Sequence, residues 1–319
     1  MVSTKTEEEL ELMAYAGKVL YDLLNHMETV IKPGISTKEL DSIAERFIRD
    51  RGCYPSCKGY EGFPASICAS INDEVVHGIP SKRKLKEGDI ITIDVVATYK
   101  GYMADTARTY KVGKVRKEVE DLLKYTKEAL YKGLSVVKSG VKLNEVSKAI
   151  ESVAKEHHLG IVHELTGHGI GKEMHEDPYV YNYSNNDSEL ILKEGMTIAV
   201  EPMFTLGKRN VWLLDDDWTI VTQDGSPAAH YEHTIVVTKD GYKILTGEWI
   251  NGKRRLYWNY RVSTRSYPRR RLQSKIGKWT YCRSSRFWKN ASKPNSYLSR
   301  WYSTLRDSNL WFNTRENNI

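Results

Sequence analysis

The strongest constraint on this chain is that its first half is echoed in its second. Leu85-Lys86-Glu87-Gly88-Asp89-Ile90-Ile91-Thr92-Ile93-Asp94 aligns with Leu192-Lys193-Glu194-Gly195-Met196-Thr197-Ile198-Ala199-Val200-Glu201, an offset of 107 residues read from 94 to 201. Lys32-Pro33-Gly34 with Glu39 and Leu40 aligns with Lys138-Ser139-Gly140 with Glu145 and Val146 at an offset of 106. A short His-Gly-Ile also recurs, at His77 and at His168. Each copy opens a helix-like stretch and then reaches a strand and a carboxylate. Two such copies predict a duplicated α+β unit whose halves face each other, with an acid from each at the seam.

The acids themselves sit where charge is unwelcome. Ile90 to Thr98 reads as a buried strand from its β-branched content, yet Asp94 interrupts it. An ionised carboxylate there costs several kcal/mol unless a partner or a metal compensates it. Asp105 follows across an expected two-residue turn at Lys100-Gly101. That turn sets Asp94 opposite Ala107 and puts Asp105 two positions away on the same face. Diagonal neighbours of this kind lie about 7–8 Å apart at the backbone, so their carboxylates can converge. Two converging carboxylates repel, and a divalent cation between them removes the repulsion. A solvated hairpin with two surface acids is the alternative for this stretch alone.

Helical spacing runs from Glu7 to Ile31, with Thr6 and Glu9 as a capping box, and Lys32-Pro33-Gly34 ends it. Ser36 with Glu39 opens a second helix to about Arg49, and further helices are expected at 117–137 and 143–157. Residues 52–80 are rich in Gly, Pro, Cys and aromatics, with a short strand over 66–70. Tyr60, Phe63 and Cys68 can line an apolar pocket or belong to ordinary core, and the residues leave both readings open. His77 stands beside a turn in Val75-Val76-His77-Gly78-Ile79-Pro80. Glycines flank His168, which lets other groups approach the imidazole, and His175 follows seven residues later. Glu201 precedes Pro202 and is biased to an extended backbone. Glu232 lies in Ala229 to Val237, read as one more strand carrying a carboxylate.

Asp94, Asp105, His168, Glu201 and Glu232 together make a ligand set. Its four carboxylates match the charge of two divalent ions, and one imidazole among oxygens suits Mn, Fe, Co or Zn. Such a pair can activate a bridging water and polarise a carbonyl. Amide hydrolysis fits, with His77 and His175 placed to bind substrate or steady the tetrahedral intermediate.

The net charge of +7 hides an uneven split. Residues 251–319 carry 17 Lys and Arg against Asp307 and Glu316, whereas the remainder has 31 bases against 39 acids. The acidic body gives no sign of nucleic-acid binding. Cys53, Cys57, Cys68 and Cys282 lack paired zinc spacing and are expected as free thiols, with no signal peptide, in a reducing cytoplasmic compartment. No apolar run approaches the ~20 residues of a membrane helix.

These stretches carry a family resemblance. Lys32 to Asp41, Val76-His77-Gly78-Ile79-Pro80, Ile93-Asp94-Val95, Asp105-Thr106, Gly167 to Gly171, Glu201-Pro202-Met203 and Tyr231-Glu232-His233-Thr234 resemble type I methionine aminopeptidase, over about residues 1–247. The resemblance implies the pita-bread (creatinase/aminopeptidase) fold, an α+β fold with duplicated halves around a curved antiparallel sheet. It implies removal of the initiator methionine from nascent polypeptide N-termini when the second residue is small. It also implies that Asp94, Asp105 and Glu232 hold one of two divalent ions, while Asp105, His168, Glu201 and Glu232 hold the other. His77 and His175 would contact the scissile amide. Tyr60, Phe63, Cys68 and Trp218 would line the methionine pocket, with Met174 where many bacterial relatives carry an aromatic. The chain resembles the short bacterial or organellar form, expected as a cytoplasmic monomer.

Residues 1–250 are therefore expected as the catalytic domain and 251–319 as a poorly ordered basic tail. The tail holds five of the eight tryptophans without helical or alternating period. A contact with ribosomal RNA is one reading of it; an extension without an evolved role is the favoured one. The rivals to the whole reading are a proline-specific peptidase of the same fold and a non-catalytic binding protein on this scaffold.

Overall fold

A computed structural model describes residues 2–185, 189–250 and 253–254. Two units are distinguished, Met1–Tyr260 and Arg261–Ile319, and all described residues belong to the first. The expectation for the basic tail lies outside the described residues.

Among the described residues four long helices form where the apolar spacing places them. Helix α1 (Glu7–Val30) and helix α2 (Thr37–Arg49) both start on complete capping boxes, Thr6 with Glu9 and Ser36 with Glu39. Helices α3 (Lys117–Leu134) and α4 (Leu143–His157) start at Arg116 and Lys142 without a side-chain cap. Helix α3 is three residues shorter than the expected 117–137. Ser135 turns its hydroxyl onto the Lys132 carbonyl (2.7 Å), the competition with helical backbone bonding that ends many helices at serine. The strand expected at 66–70 begins later, at Cys68. The Ser66 N–H is bonded to the Asp41 carboxylate (2.7 Å) and is lost to the ladder.

The Ile90–Tyr99 and Tyr102–Lys111 strands pair antiparallel over their full length, and Asp94 faces Ala107 as the turn chemistry requires. Both turn residues, Lys100 (φ 47°) and Gly101 (φ 84°), have positive φ, the signature of the hairpin turn that matches strand twist. The Cys68–Ile71 strand flanks this hairpin. In the second half the antiparallel order is Tyr242–Ile244, His233–Val237, Thr197–Val200, Gly167–Gly169 and Glu176–Val180.

The repeat shows in the hydrogen bonds. Gly34 N–H bonds Leu85 O and Gly140 N–H bonds Leu192 O, both at 2.8 Å; Gly88 N–H bonds Val112 O (2.9 Å) and Gly195 N–H bonds Val237 O (3.0 Å). Gly88 and Gly195 both need φ above +80°, which a side chain would resist. Each half also keeps its own core. Leu20, Leu23, Leu40, Ile48, Ile91 and Ile93 pack in the first, and Leu122, Leu130, Val146, Ile150, Ile198 and Phe204 in the second. The His-Gly-Ile echo is not part of this symmetry. His168 lies in a strand paired with Thr197–Val200, while His77 follows a short strand paired with Ile220–Thr222.

The halves are sewn together by side chains reaching backbone. Thr234 Oγ1 accepts from Asp105 N (2.9 Å) and donates to Asp105 O (2.8 Å), and Thr106 Oγ1 donates to Glu232 O (2.7 Å). Helix α1 also crosses the seam, because Gly17 lets the Leu245 backbone come close; a Cβ there would lie 2.2 Å from Leu245 O. Gly17→Ala is expected to cost about 2–3 kcal/mol through this unyielding contact. Thermal melting checks it, and a melting temperature equal to that of the parent protein would contradict the close packing.

Candidate metal centre

Four carboxylates and a histidine meet where the hairpin of the first half faces the five-stranded sheet of the second. Asp94 stands mid-strand between Cys68 and Ala107, and Asp105 stands opposite Val96, so both point the same way. His168 occupies the centre of Gly167–Gly169; its Nδ1–H donates to Gly169 O (2.9 Å), which leaves the Nε2 lone pair toward the acids. From Nε2 the distances are 3.5 Å to Glu201 Oε1 and 3.8 Å to Asp105 Oδ2. Glu201 follows directly after the Thr197–Val200 strand, its carbonyl held by the Asn182 amide (3.0 Å).

Glu232 arrives differently from the expected continuous strand over 229–237. The strand breaks at Tyr231 and Glu232: Ala228–His230 pairs with Met203–Thr205, and His233–Val237 pairs with Thr197–Val200. At the break Glu232 N–H bonds Ala107 O (3.0 Å), which aims the side chain into the acidic cluster. Ligand atoms of Asp105, His168 and Glu232 lie within 4.8 Å of one another, as do those of Glu201, His230 and Glu232. Asp94 joins the cluster from the same face of the hairpin as Asp105, where burial and the neighbouring acids raise both carboxyls.

The electrostatics agree. Burial pushes Asp94 up to about 6 and Glu201 up to about 7. Asp105 and Glu232 are driven well above the carboxylate range, by burial first and then by the neighbouring acids. Asp105 Oδ1 and Glu232 Oε1 are buried with no hydrogen-bond partner among the described residues. Unpaired buried carboxylate oxygens around an imidazole nitrogen are the donor set of a divalent metal ion, and these residues fit one.

Two more histidines border the cluster. The His175 ring lies 4.4 Å from that of His168, centre to centre, and its Nδ1 meets the Tyr60 hydroxyl at 2.8 Å. His77 has left-handed backbone (φ 58°) and sits edge-on to Trp218 at 6.3 Å. Burial holds His77 down at about 4 and His175 well below the usual imidazole value, so both are neutral at pH 7. Beside them Phe63, Cys68, Tyr60 and Trp218 form one apolar cluster, with Phe63 edge-to-face on Trp218 at 5.0 Å. Met174 belongs to the same cluster.

Cys57, Ala65, Val96, Ile79 and Met103 also line it and escaped sequence reasoning. Val96 was legible, since it lies two residues from Asp94 on the same face; nothing local marks Cys57. His230 was likewise missed. It stands two residues before Glu232, the one signal that pointed to it.

A buried carboxylate–imidazole centre spanning the two halves of a pita-bread domain defines a metallohydrolase of the peptidase type. The chain belongs to metallopeptidase family M24, whose pattern it matches over residues 11–239. It is 48% identical over 246 residues to methionine aminopeptidase 1 of Bacillus subtilis, covering 77% of this chain and 99% of that one. A solved methionine aminopeptidase of Rickettsia prowazekii superposes with a TM-score of 0.76 at 42% identity, over 77% of this chain and all of that one. An Xaa-Pro dipeptidase of Bacillus anthracis shares the fold at a TM-score of 0.63 and 25% identity, over 77% of this chain and 62% of that one. Among the described residues no helix is long and apolar enough to cross a membrane.

Proposed function

We propose that the protein removes N-terminal methionine from nascent polypeptides by metal-assisted amide hydrolysis in the cytoplasm, as a monomer. The observation that carries the reading is the acidic cluster lying against an apolar cluster of aromatic, thiol and thioether groups. A flexible methionine side chain packs well against such surroundings. On this reading Asp94, Asp105 and Glu232 hold one divalent ion, and Asp105, His168, Glu201 and Glu232 hold a second, drawn from Co, Mn, Fe and Zn. Bound there, such ions polarise a carbonyl and lower the pKa of water.

The chain's own groups do the rest. The pocket of Tyr60, Phe63, Cys68 and Trp218 takes the methionine side chain and fixes the scissile amide near the acids. The Tyr60 hydroxyl lies 2.8 Å from His175 Nδ1, and with the hydroxyl as donor the neutral ring presents Nε2–H to the developing oxyanion. His77 contacts the same amide from the Trp218 side. The catalytic unit is residues 1–250, and the basic segment 251–319 takes no part in the chemistry.

The test is the full chain loaded with Mn(II) or Co(II) and given the peptide Met-Ala-Ser and the dipeptide Ala-Pro. Release of methionine from the first, with the second left intact, is expected. Cleavage of the second alone would assign the proline-specific activity named for the Bacillus anthracis neighbour.

A further inference from the structure

One imidazole at the centre has no role in the proposed ligand set. His230 is 1% exposed, and neither ring nitrogen has a hydrogen-bond partner among the described residues. A buried polar ring left unsatisfied is destabilising, so an idle histidine here would be a liability. Its ring is not idle in position. Nε2 lies 3.4 Å from Glu201 Oε2, too poorly aligned for a hydrogen bond, while the other oxygen of that carboxylate, Oε1, lies 3.5 Å from His168 Nε2.

The backbone beneath the ring is held firmly. His230 N–H donates to Thr109 Oγ1 (2.9 Å), and that hydroxyl donates back to His230 O (2.9 Å). Thr109 Oγ1 in turn meets Thr92 Oγ1 at 2.8 Å. The duplication gives the placement a meaning. Val112 N–H bonds Asp89 O as Val237 N–H bonds Met196 O, so the hairpin's second strand maps onto the other half with an offset of 125, from 112 to 237. The same offset carries Asp105 onto His230, just as 107 carries Asp94 onto Glu201. Asp94 with Asp105 in one half therefore corresponds to Glu201 with His230 in the other.

We propose that His230 is a positioning residue for the metal centre: with an ion bound, its Nε2–H, already 3.4 Å from Glu201 Oε2, aligns with that oxygen and leaves Oε1 free for the ion beside His168. The role rests on the metal reading above. Outer hydrogen bonds of this kind orient a ligating carboxylate and typically change metal affinity by about 10–100-fold when removed.

Calorimetric titration of Mn(II) into the metal-free full chain tests this, using the parent protein, His230→Gln and His230→Leu, with thermal melting of each as a check on folding. In His230→Leu one binding step is expected to weaken by roughly 10–100-fold with the number of ions unchanged. His230→Gln, which restores an N–H donor, is expected to recover most of that affinity. A merely space-filling role would not distinguish the two variants. Equal Mn(II) affinity in all three proteins would overturn the role of His230 while leaving the metal reading intact. Outright loss of one bound ion in both variants would make His230 a ligand and overturn it too. A parent protein that takes up no Mn(II) would remove the metal reading itself, and this role with it.

Discussion

Asp105→Asn is expected to lower methionine release at least ~1000-fold, about 4 kcal/mol of transition-state stabilisation, while leaving the metal-free protein folded and more stable. Asp105 is, with Glu232, one of two side chains that both proposed ion positions share, and the carboxamide keeps its shape while deleting the charge. In the metal-free protein that charge is a burden. Asp105 is 5% exposed and driven well above the carboxylate range by burial and by its acidic neighbours. Removing it relieves like-charge crowding in a low-dielectric site. Initial rates, elemental metal content and melting of the metal-free variant are the three readings. A variant that keeps full metal content and more than a tenth of the activity would contradict the central place given to Asp105.

The second large effect is a crossing of pH dependences. The folded metal-free protein holds Glu201 at about 7 and Asp105 and Glu232 well above their ordinary values of 3.8 and 4.5, mainly through burial. Near neutral pH the folded state then binds more protons than the unfolded one, so stability falls as pH rises. From about pH 8.5 down to 6.5 the metal-free protein should become more stable. Below that window the buried histidines take over with the opposite sign. His77 and His230 are held at about 4 and His233 at about 3, all by burial first, so acidification protonates them in the unfolded chain alone. Metal binding demands the ionised carboxylates, so the gain in melting temperature on adding Mn(II) should grow from pH 6.5 to 8.5. Melting in chelator and in Mn(II) across this range decides it. A metal-free melting temperature that climbs with pH over the same range would refute the repulsive cluster.

Much of the centre could be read before any coordinates. Strand period and turn geometry act over a few residues, which is why the Lys100-Gly101 turn was enough to put Asp94 and Asp105 on one face. Helix starts are equally local, and the Thr6 and Ser36 capping boxes formed where they were expected. The aligned segments at 85–94 and 192–201 announced two like halves.

What the tertiary structure alone decided depends on groups far apart in the chain. Glu232 owes its direction to a strand break held by Thr106, 126 residues away, so the local pattern read as an unbroken strand. The His-Gly-Ile echo looked like symmetry but joins different sheets. His230 gains its neighbour Glu201 only when Ala228–His230 pairs with Met203–Thr205, and Cys57 and Met103 join the apolar cluster only when segments more than forty residues apart pack together. Sequence by itself determined the elements, their registers and the acids they carry, because those follow from forces between near neighbours. Folding decided which acids share a cation-sized space, because that depends on how two cores dock across a seam whose bonds span more than a hundred residues.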